Sequence, residues 1–265
     1  MDYKFGKLPA RPEAIKLRMS TYLDRKAIKL PPRPMGPFGH GHIIRESDWG
    51  MCANDKYGCC VFAGSAHETK MLAGLGGKQT WFPDNAVLSD YAAVTGFNEH
   101  APLDAQGNNP TDNGTDMQVA AKFRQNTGIQ DGHGNRHKVA AYLAIDPGNL
   151  EQHLMALYLF GAVGIGIEVP AYAPDQFDED IPWDVKPGAE KIVGGHYVPA
   201  LYWDGSNLEV ITWARTQKMT PRFLSRFNDE SVAYLSTESL TNRRSPEGFD
   251  YDTLLADLNQ LRNVG

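Results

Sequence analysis

Residues 60–75, CVFAGSAHETKMLAGL, are small and apolar and contain no proline. That texture predicts a helix closing at Gly74 or at the Gly76–Gly77 pair. Residues 86–96 read as a second helix. TDMQVAAKFRQNT, 115–127, reads as a third, capped by Thr115 or Asp116 and closed by Gly128. Residues 137–145 read as a strand, and 148–160 as a helix starting near Pro147. Then the period shortens. GAVGIGIEVP, HYVPALYWDG, LEVITWA and SVAYLS are alternating or β-branched runs separated by turns, and DGSN at 204–207 is a hairpin signal. Helices first and an antiparallel sheet second is the α+β order, not βαβ. Two long polar stretches interrupt the pattern. One is the Gly/Asn/Pro loop at 98–116; the other is AYAPDQFDEDIPWDVKPGAEK, an acidic, Pro-rich loop at 171–191.

The first 45 residues differ in kind. Pro9, Pro12, Pro31, Pro32, Pro34 and Pro37 forbid long helices, leaving one short helix at roughly 12–24 in an otherwise extended arm. The expected organisation is an arm over 1–45 and a folded body over 46–265. Charge sharpens the division. The chain of 265 residues has a net charge of −6, yet residues 1–40 hold nine Lys/Arg against three Asp/Glu, so the rest carries −12. Such an arm suits an acidic partner: a neighbouring protein or its own body. Nucleic acid is not favoured, because dense basic blocks with interleaved aromatics are missing.

Composition excludes little else. No apolar run is long enough to span a membrane, and the N-terminus has no apolar signal-peptide core, so a cytoplasmic protein acting away from membranes is expected. Three cysteines cannot build a disulfide framework.

The candidate chemistry starts at NDKYGCCVFAGSAHE, 54–68. Cys60 opens the first helix, where free N–H groups and the helix dipole lower a thiol pKa and can hold an oxyanion; Cys59 lies one residue outside. Both also suit a role as small buried residues. Among bases, His67 sits two turns along the same helix, about 10 Å away, too far for direct proton transfer. His40 and His42 in GHGH lack a second ligand cluster, so no metal or other cofactor is expected. His133 and His137 flank a Gly-rich turn and read as solvated. His196 opens a strand in VGGHYVPALYWDGSNLEVITWA.

These residues resemble the papain-like cysteine peptidase superfamily, in which a helix-opening cysteine follows a polar amide and a histidine comes 130–150 residues later. His196 lies 136 residues after Cys60, and Asn54 stands six before it, where the family usually has Gln. Thr212 lies sixteen beyond His196, where the family usually has the orienting Asn, and Trp213 follows like the tryptophan that shields the pair. DNGTDMQVAAKFRQNTGI is similar to the segment with the paired-glycine turn and its helix. The matches run in family order from about residue 48 to 235. The Pro-rich arm with N-D-x-Y-G-x-C further resembles an uncharacterised papain-like group of bacterial and bacteriophage genomes, and there Cys60 takes the nucleophile place.

The resemblance implies a papain-like α+β domain and acyl transfer by Cys60, with His196 as acid and base, Asn54 at the oxyanion, Thr212 orienting and Trp213 shielding. The expected substrate is a peptide or a peptidoglycan-type amide, with the acidic loop at 171–191 bordering the cleft and favouring basic substrates. The alternative is an inactive papain-fold structural protein, such as a capsid or tail accessory protein of a phage virion, whose arm mediates assembly.

Overall fold

The computed structural model describes residues 3–11, 14–24, 32–188, 191–240, 243–248 and 250–264. Helix α1 (Met19–Leu23) and strand β1 (Phe38–Gly39) lie in the N-terminal arm. The body begins with α2 (Cys60–Leu75), α3 (Asp84–Thr95) and α4 (Met117–Asn126). A small hairpin, β2 (Ile129–Gln130) with β3 (Arg136–His137), leads into β4 (Val139–Ile145), α5 (Leu150–Phe160) and β5 (Val163–Pro170). After α6 (Ala173–Asp178) come β6 (Ile192–Trp203), β7 (Leu208–Thr212), β8 (Arg215–Met219), α7 (Pro221–Phe227), β9 (Asn228–Ser236) and α8 (Tyr251–Val264).

The large sheet has the order β4-β9-β5-β6-β7-β8, with β1 beside β6, and its pairings are antiparallel. This is the α+β order, helices first and an antiparallel sheet second, that the residue pattern implied. Asp204 shapes the turn between β6 and β7 by accepting from the N–H groups of Ser206 (2.8 Å) and Asn207 (2.7 Å). Asp116, not Thr115, caps α4, accepting from Gln118 and Val119.

Helices cover both faces of the sheet. On one, α5 and α7 pack on the Val163, Ile165, Ile167 and Val169 row of β5, and α8 packs against β4. On the other, α2, α3 and α4 enclose Tyr197, Val232 and Tyr234. Alternation explains the glycines of β5: they clear this second face. A Cβ at Gly164 would fall 2.0 Å from the Tyr197 hydroxyl, and one at Gly166 would fall 2.2 Å from Lys7 Cε.

Three expectations are corrected. The 171–191 loop is not structureless: Ala173–Asp178 forms α6, with Pro174 in its first turn, where a missing N–H costs nothing. The arm helix is shorter than 12–24, spanning Met19–Leu23, and residues 12 and 13 lie outside the described residues. His137 is not solvated; its ring sits between Glu238 (2.9 Å) and Asp131 (3.3 Å). Among the described residues no helix is long and apolar enough to cross a membrane.

The arm meets its own body. Ile15, Met19, Tyr22 and Phe38 enter the hydrophobic core. Lys7 pairs with Asp229, Arg11 with Asp116, Arg18 with Asp146 and Arg33 with Glu151, so four of the nine Lys/Arg of residues 1–40 find their acidic partners within the chain.

Buried histidines set the acid response. Burial pushes His67 and His153 down to about 4 and His196 to about 3. An unfolded chain would protonate all three near 6.5. Stability is therefore full above that pH and is lost as pH falls toward 4, by about 2 kcal/mol per histidine at pH 5. His137, raised by its hydrogen bond to Glu238, works in the opposite sense and is one group against three. Urea unfolding at pH 7.5 and 5.0 should show a lower midpoint at the acidic pH.

Candidate active site

The turn before α2 presents Cys60. Cys52 and Ala53 adopt left-handed φ of 52° and 63°, and the Ala53 N–H is held by Asp84 at 2.9 Å. No side chain caps the N-terminus of α2; in its first turn Phe62 and Ala63 donate to the Cys59 carbonyl at 2.9 and 3.0 Å, so the N–H groups ahead of them, at Cys60 and Val61, are those that could meet an anion. Cys60 is buried, and burial pushes its thiol up to about 11 against the N–H groups of Tyr197, Gly6 and Val61 and the charge of Lys7. Strand β6 packs along α2, where a Cβ at Gly64 would fall 2.4 Å from the Tyr197 ring, and His196 is the residue before Tyr197.

His196 is fixed by its neighbours. Its Nε2 lies 2.7 Å from Thr212 Oγ1. With the N–H donating to that hydroxyl, Nδ1 keeps the lone pair, and Nδ1 has no hydrogen-bond partner. Trp213 stacks on the imidazole with centroids 4.5 Å apart and planes 16° apart. The turn that delivers this indole is strained: Trp213 and Ala214 have φ of 42° and 65°, where a two-residue hairpin turn usually has Asn-Gly.

A second tie aligns the two halves. Glu68, two turns beyond Cys60 on α2, accepts from the Tyr197 hydroxyl at 2.7 Å and from Arg124, whose guanidinium lies 3.7 Å from the Tyr234 ring centroid. One carboxylate thus links the cysteine helix to the histidine strand.

The structure brings His196, Thr212 and Trp213 together and sets Asn54 against the same arm segment that His196 faces; His196 Nδ1 makes no hydrogen bond, to the Cys60 sulfur or to any other group, and the cleft is filled. The arm runs through it from Tyr3 to Arg11. The Tyr3 ring packs on Trp213 at 4.1 Å and Phe177 at 5.4 Å, and its hydroxyl donates to Asp178. Asn54 Nδ2 donates to the Lys4 carbonyl at 3.4 Å and to Tyr57 at 3.0 Å. Phe5 lies edge-on to His196 at 5.9 Å. The N–H groups of Gly6 and Lys7 donate to the Gly195 carbonyl at 3.1 and 2.9 Å. Thr115 N–H donates to Gly6 O at 2.6 Å, and Leu8 N–H to Thr115 O at 3.0 Å.

The slot is built from glycines. A Cβ at Gly58 would meet the Phe5 carbonyl at 3.1 Å, at Gly114 the Gly6 carbonyl at 2.3 Å, and at Gly195 the Lys7 carbonyl at 2.3 Å. Gly6 has no room at all; its Cβ would fall 1.7 Å from the Gly58 carbonyl. In this closed state burial favours the neutral imidazole of His196 and the thiol of Cys60 over a thiolate–imidazolium pair.

Sequence reasoning missed a second Cys–His contact. Cys52 Sγ lies 3.7 Å from His67 Nε2, both buried. That nitrogen is 3.0 Å from the Gly50 carbonyl, which needs its N–H, so the lone pair is on Nδ1, away from the sulfur. Burial pushes the Cys52 thiol up to about 12. No spacing rule signalled this pair, because the left-handed turn at 52–53 creates it. The GHGH histidines reach different carboxylates, His40 at Glu247 and His42 at Glu209.

No protein-family model and no curated protein matches this chain's sequence. Solved structures do match in fold. Xylellain, a cysteine protease from Xylella fastidiosa, superposes with a TM-score of 0.61 over 89% of this chain and 97% of that one, at 11% identity. Procathepsin B S9 from Trypanosoma congolense gives 0.54 over 88% and 86% at 14% identity. Digestive procathepsin L 3 from the larval midgut of Tenebrio molitor gives 0.52 over 81% and 77% at 12% identity. A helix opened by a cysteine, packed on an antiparallel sheet that carries a histidine, in the arrangement of these structures, is the papain-like cysteine-protease fold, and this chain has it.

Proposed function

We propose that the protein is a cysteine hydrolase of peptide or related amide bonds, held latent by its own N-terminal arm. The observation that carries this reading is the pairing of His196 with Thr212 and Trp213 beside the helix-opening Cys60. Thr212 takes one ring nitrogen and leaves the other free for a proton. With the arm out of the cleft, water reaches both groups and the desolvation that keeps them neutral is relieved. Nδ1 of His196 then takes the Cys60 proton, and the thiolate attacks a carbonyl carbon. The developing oxyanion is met by the N-terminal N–H groups of α2 and the Asn54 amide, which already donates to an arm carbonyl. The imidazolium protonates the departing amine, and the imidazole then activates water to release the acyl group. Trp213 keeps solvent off the Thr212 bond.

A peptidoglycan-type amide remains within this substrate class. Residence in a bacterial or phage lineage, and incorporation in a virion, are finer readings that follow from the sequence resemblance alone. The assembly alternative needs the arm on another subunit; here residues 3–11 are used inside the chain.

The test is hydrolysis of a fluorogenic peptide mixture by a variant with its arm displaced. Cys60→Ala and His196→Ala should reduce turnover to background, and Cys52→Ala should leave it. Loss with Cys52→Ala and retention with Cys60→Ala would assign the chemistry to the other pair. Thr212→Val should lower kcat about tenfold, because the imidazole loses its orienting acceptor but keeps its place under Trp213.

A further inference from the structure

Among the described residues, Lys7 is the arm side chain whose cation is carried down into the body beside the cleft. Its side chain is 1% exposed. Hydrogen bonds from Lys7 and Leu8 to Gly195 and Thr115 hold the backbone here, so the side chain is directed into a shaped channel. Gly166 opens that channel, since any Cβ there would strike Lys7 Cε and Cδ, and Met117 Sδ lines it. At the end Nζ meets Asp229 at 2.7 Å, Glu230 at 3.4 Å and the Leu8 carbonyl at 2.9 Å.

Two carboxylates thus face one ammonium, and acceptors are left over. Asp229 Oδ1 and Gln118 Oε1 are buried without a hydrogen-bond partner. A cavity of about 210 Å³ continues past them, lined by Arg11, Gln118, Asp229 and Glu230 among others. When the arm leaves it takes Lys7 from Asp229 and Glu230 and Arg11 from Asp116. The vacated channel then holds carboxylates that a neutral or acidic side chain would leave unpaired. The acidic loop over 171–191 does not supply this charge; its helix stands at the Tyr3 end of the cleft.

We propose that this channel is a specificity subsite that selects a lysine or arginine side chain on the bound polypeptide, read by Asp229 and Glu230. The subsite rests on the hydrolase reading for its consequence, cleavage of basic polypeptides, but its selectivity is a property of binding. An ammonium repeats the contacts of Lys7. A guanidinium brings more donors and reaches Asp229 Oδ1 as well.

The probe is the arm's own segment, the peptide YKFGKLPA of residues 3–10, added to full-length protein carrying Gly6→Asp, which is expected to expel the arm because a Cβ at Gly6 would fall 1.7 Å from the Gly58 carbonyl. The peptide with norleucine in place of its second lysine should bind at least about tenfold more weakly, and the arginine version as tightly or more so. Asp229→Asn with Glu230→Gln should erase the difference. Equal affinity of the lysine and norleucine peptides, or a preference that survives neutralisation, would overturn the subsite. A second measurement needs no displaced arm. Lys7→Met should speed iodoacetamide alkylation of Cys60 about tenfold and Lys7→Arg should not; equal rates would count against it. The two readings fail separately: charge selectivity with an inert Cys60 removes the hydrolase and leaves the subsite, and a reactive Cys60 without charge selectivity does the reverse.

Discussion

Replacing Gly6 with aspartate should raise the alkylation rate of Cys60 by on the order of 100-fold, with the fold intact. A Cβ at this position would lie 1.7 Å from the Gly58 carbonyl, which belongs to the turn that leads into α2 and is itself pressed against Phe5 and Gly6. Backbone cannot retreat from such a contact without moving the nucleophile turn, so the arm must leave. The segment that leaves is small. It gives up the hydrogen bonds of Gly6, Lys7 and Leu8, the Lys7 pairs and the aromatic contacts of Tyr3 and Phe5. Beyond it Met19, Tyr22 and Phe38 remain anchored in the core, so the change opens the cleft without unravelling the arm. The rate rises for two reasons: the sulfur becomes accessible, and the burial that lifts its pKa to about 11 is relieved. Timed iodoacetamide labelling with peptide mapping reads the effect. A rate equal to that of the parent protein would mean that the arm does not guard the cysteine.

Replacing Glu68 with leucine should cost about 3–5 kcal/mol, seen as a fall in Tm of about 10 °C. Glu68 is fully buried, as is Arg124, and the carboxylate also takes the Tyr197 hydroxyl. Removing it leaves a buried guanidinium without its carboxylate, stacked on the Tyr234 face. The double change Glu68→Leu with Arg124→Met removes both charges and should recover much of the loss, since a buried pair is worth little against an apolar replacement and its half is costly. The single variant should also reduce Cys60 reactivity in the arm-displaced background, because Tyr197 follows His196 and its tether to α2 is cut.

Much of this site was legible in the sequence for a definite reason. The helix opened by Cys60 is a proline-free apolar run, and its observed limits are Cys60–Leu75. His196 lies inside β6 (Ile192–Trp203) rather than at a strand start as its sequence context suggested, and Thr212 ends β7 with Trp213 in the turn beyond, so strand period and hairpin spacing still place them together. The cleft's occupant was not legible. Gly6 matters because three other glycines, at 58, 114 and 195, clear space around it, and only the fold brings those positions together. Lys7 reads as one charge of a basic arm, and nothing local shows that its partners lie more than 200 residues away at Asp229 and Glu230. The strained turns at Cys52–Ala53 and Trp213–Ala214 defy local propensity, so no residue preference announces them. The C-terminal helix is written in the period of Leu254 and Leu258, both buried, yet it lies beyond the stretch where the family resemblance ends.

The central claim is that Cys60 and His196 form a live pair once the arm is withdrawn. Its most direct measurement is iodoacetamide labelling of full-length Gly6→Asp protein across pH 5 to 9, with the modified cysteine mapped by mass spectrometry beside the same protein carrying His196→Ala. The account predicts fast labelling of Cys60 with a midpoint well below the free-thiol value of about 8.5, lost when His196 is removed, and no label at Cys52. Labelling of Cys60 that follows an ordinary thiol titration and is indifferent to His196, or label that appears at Cys52 instead, would contradict it.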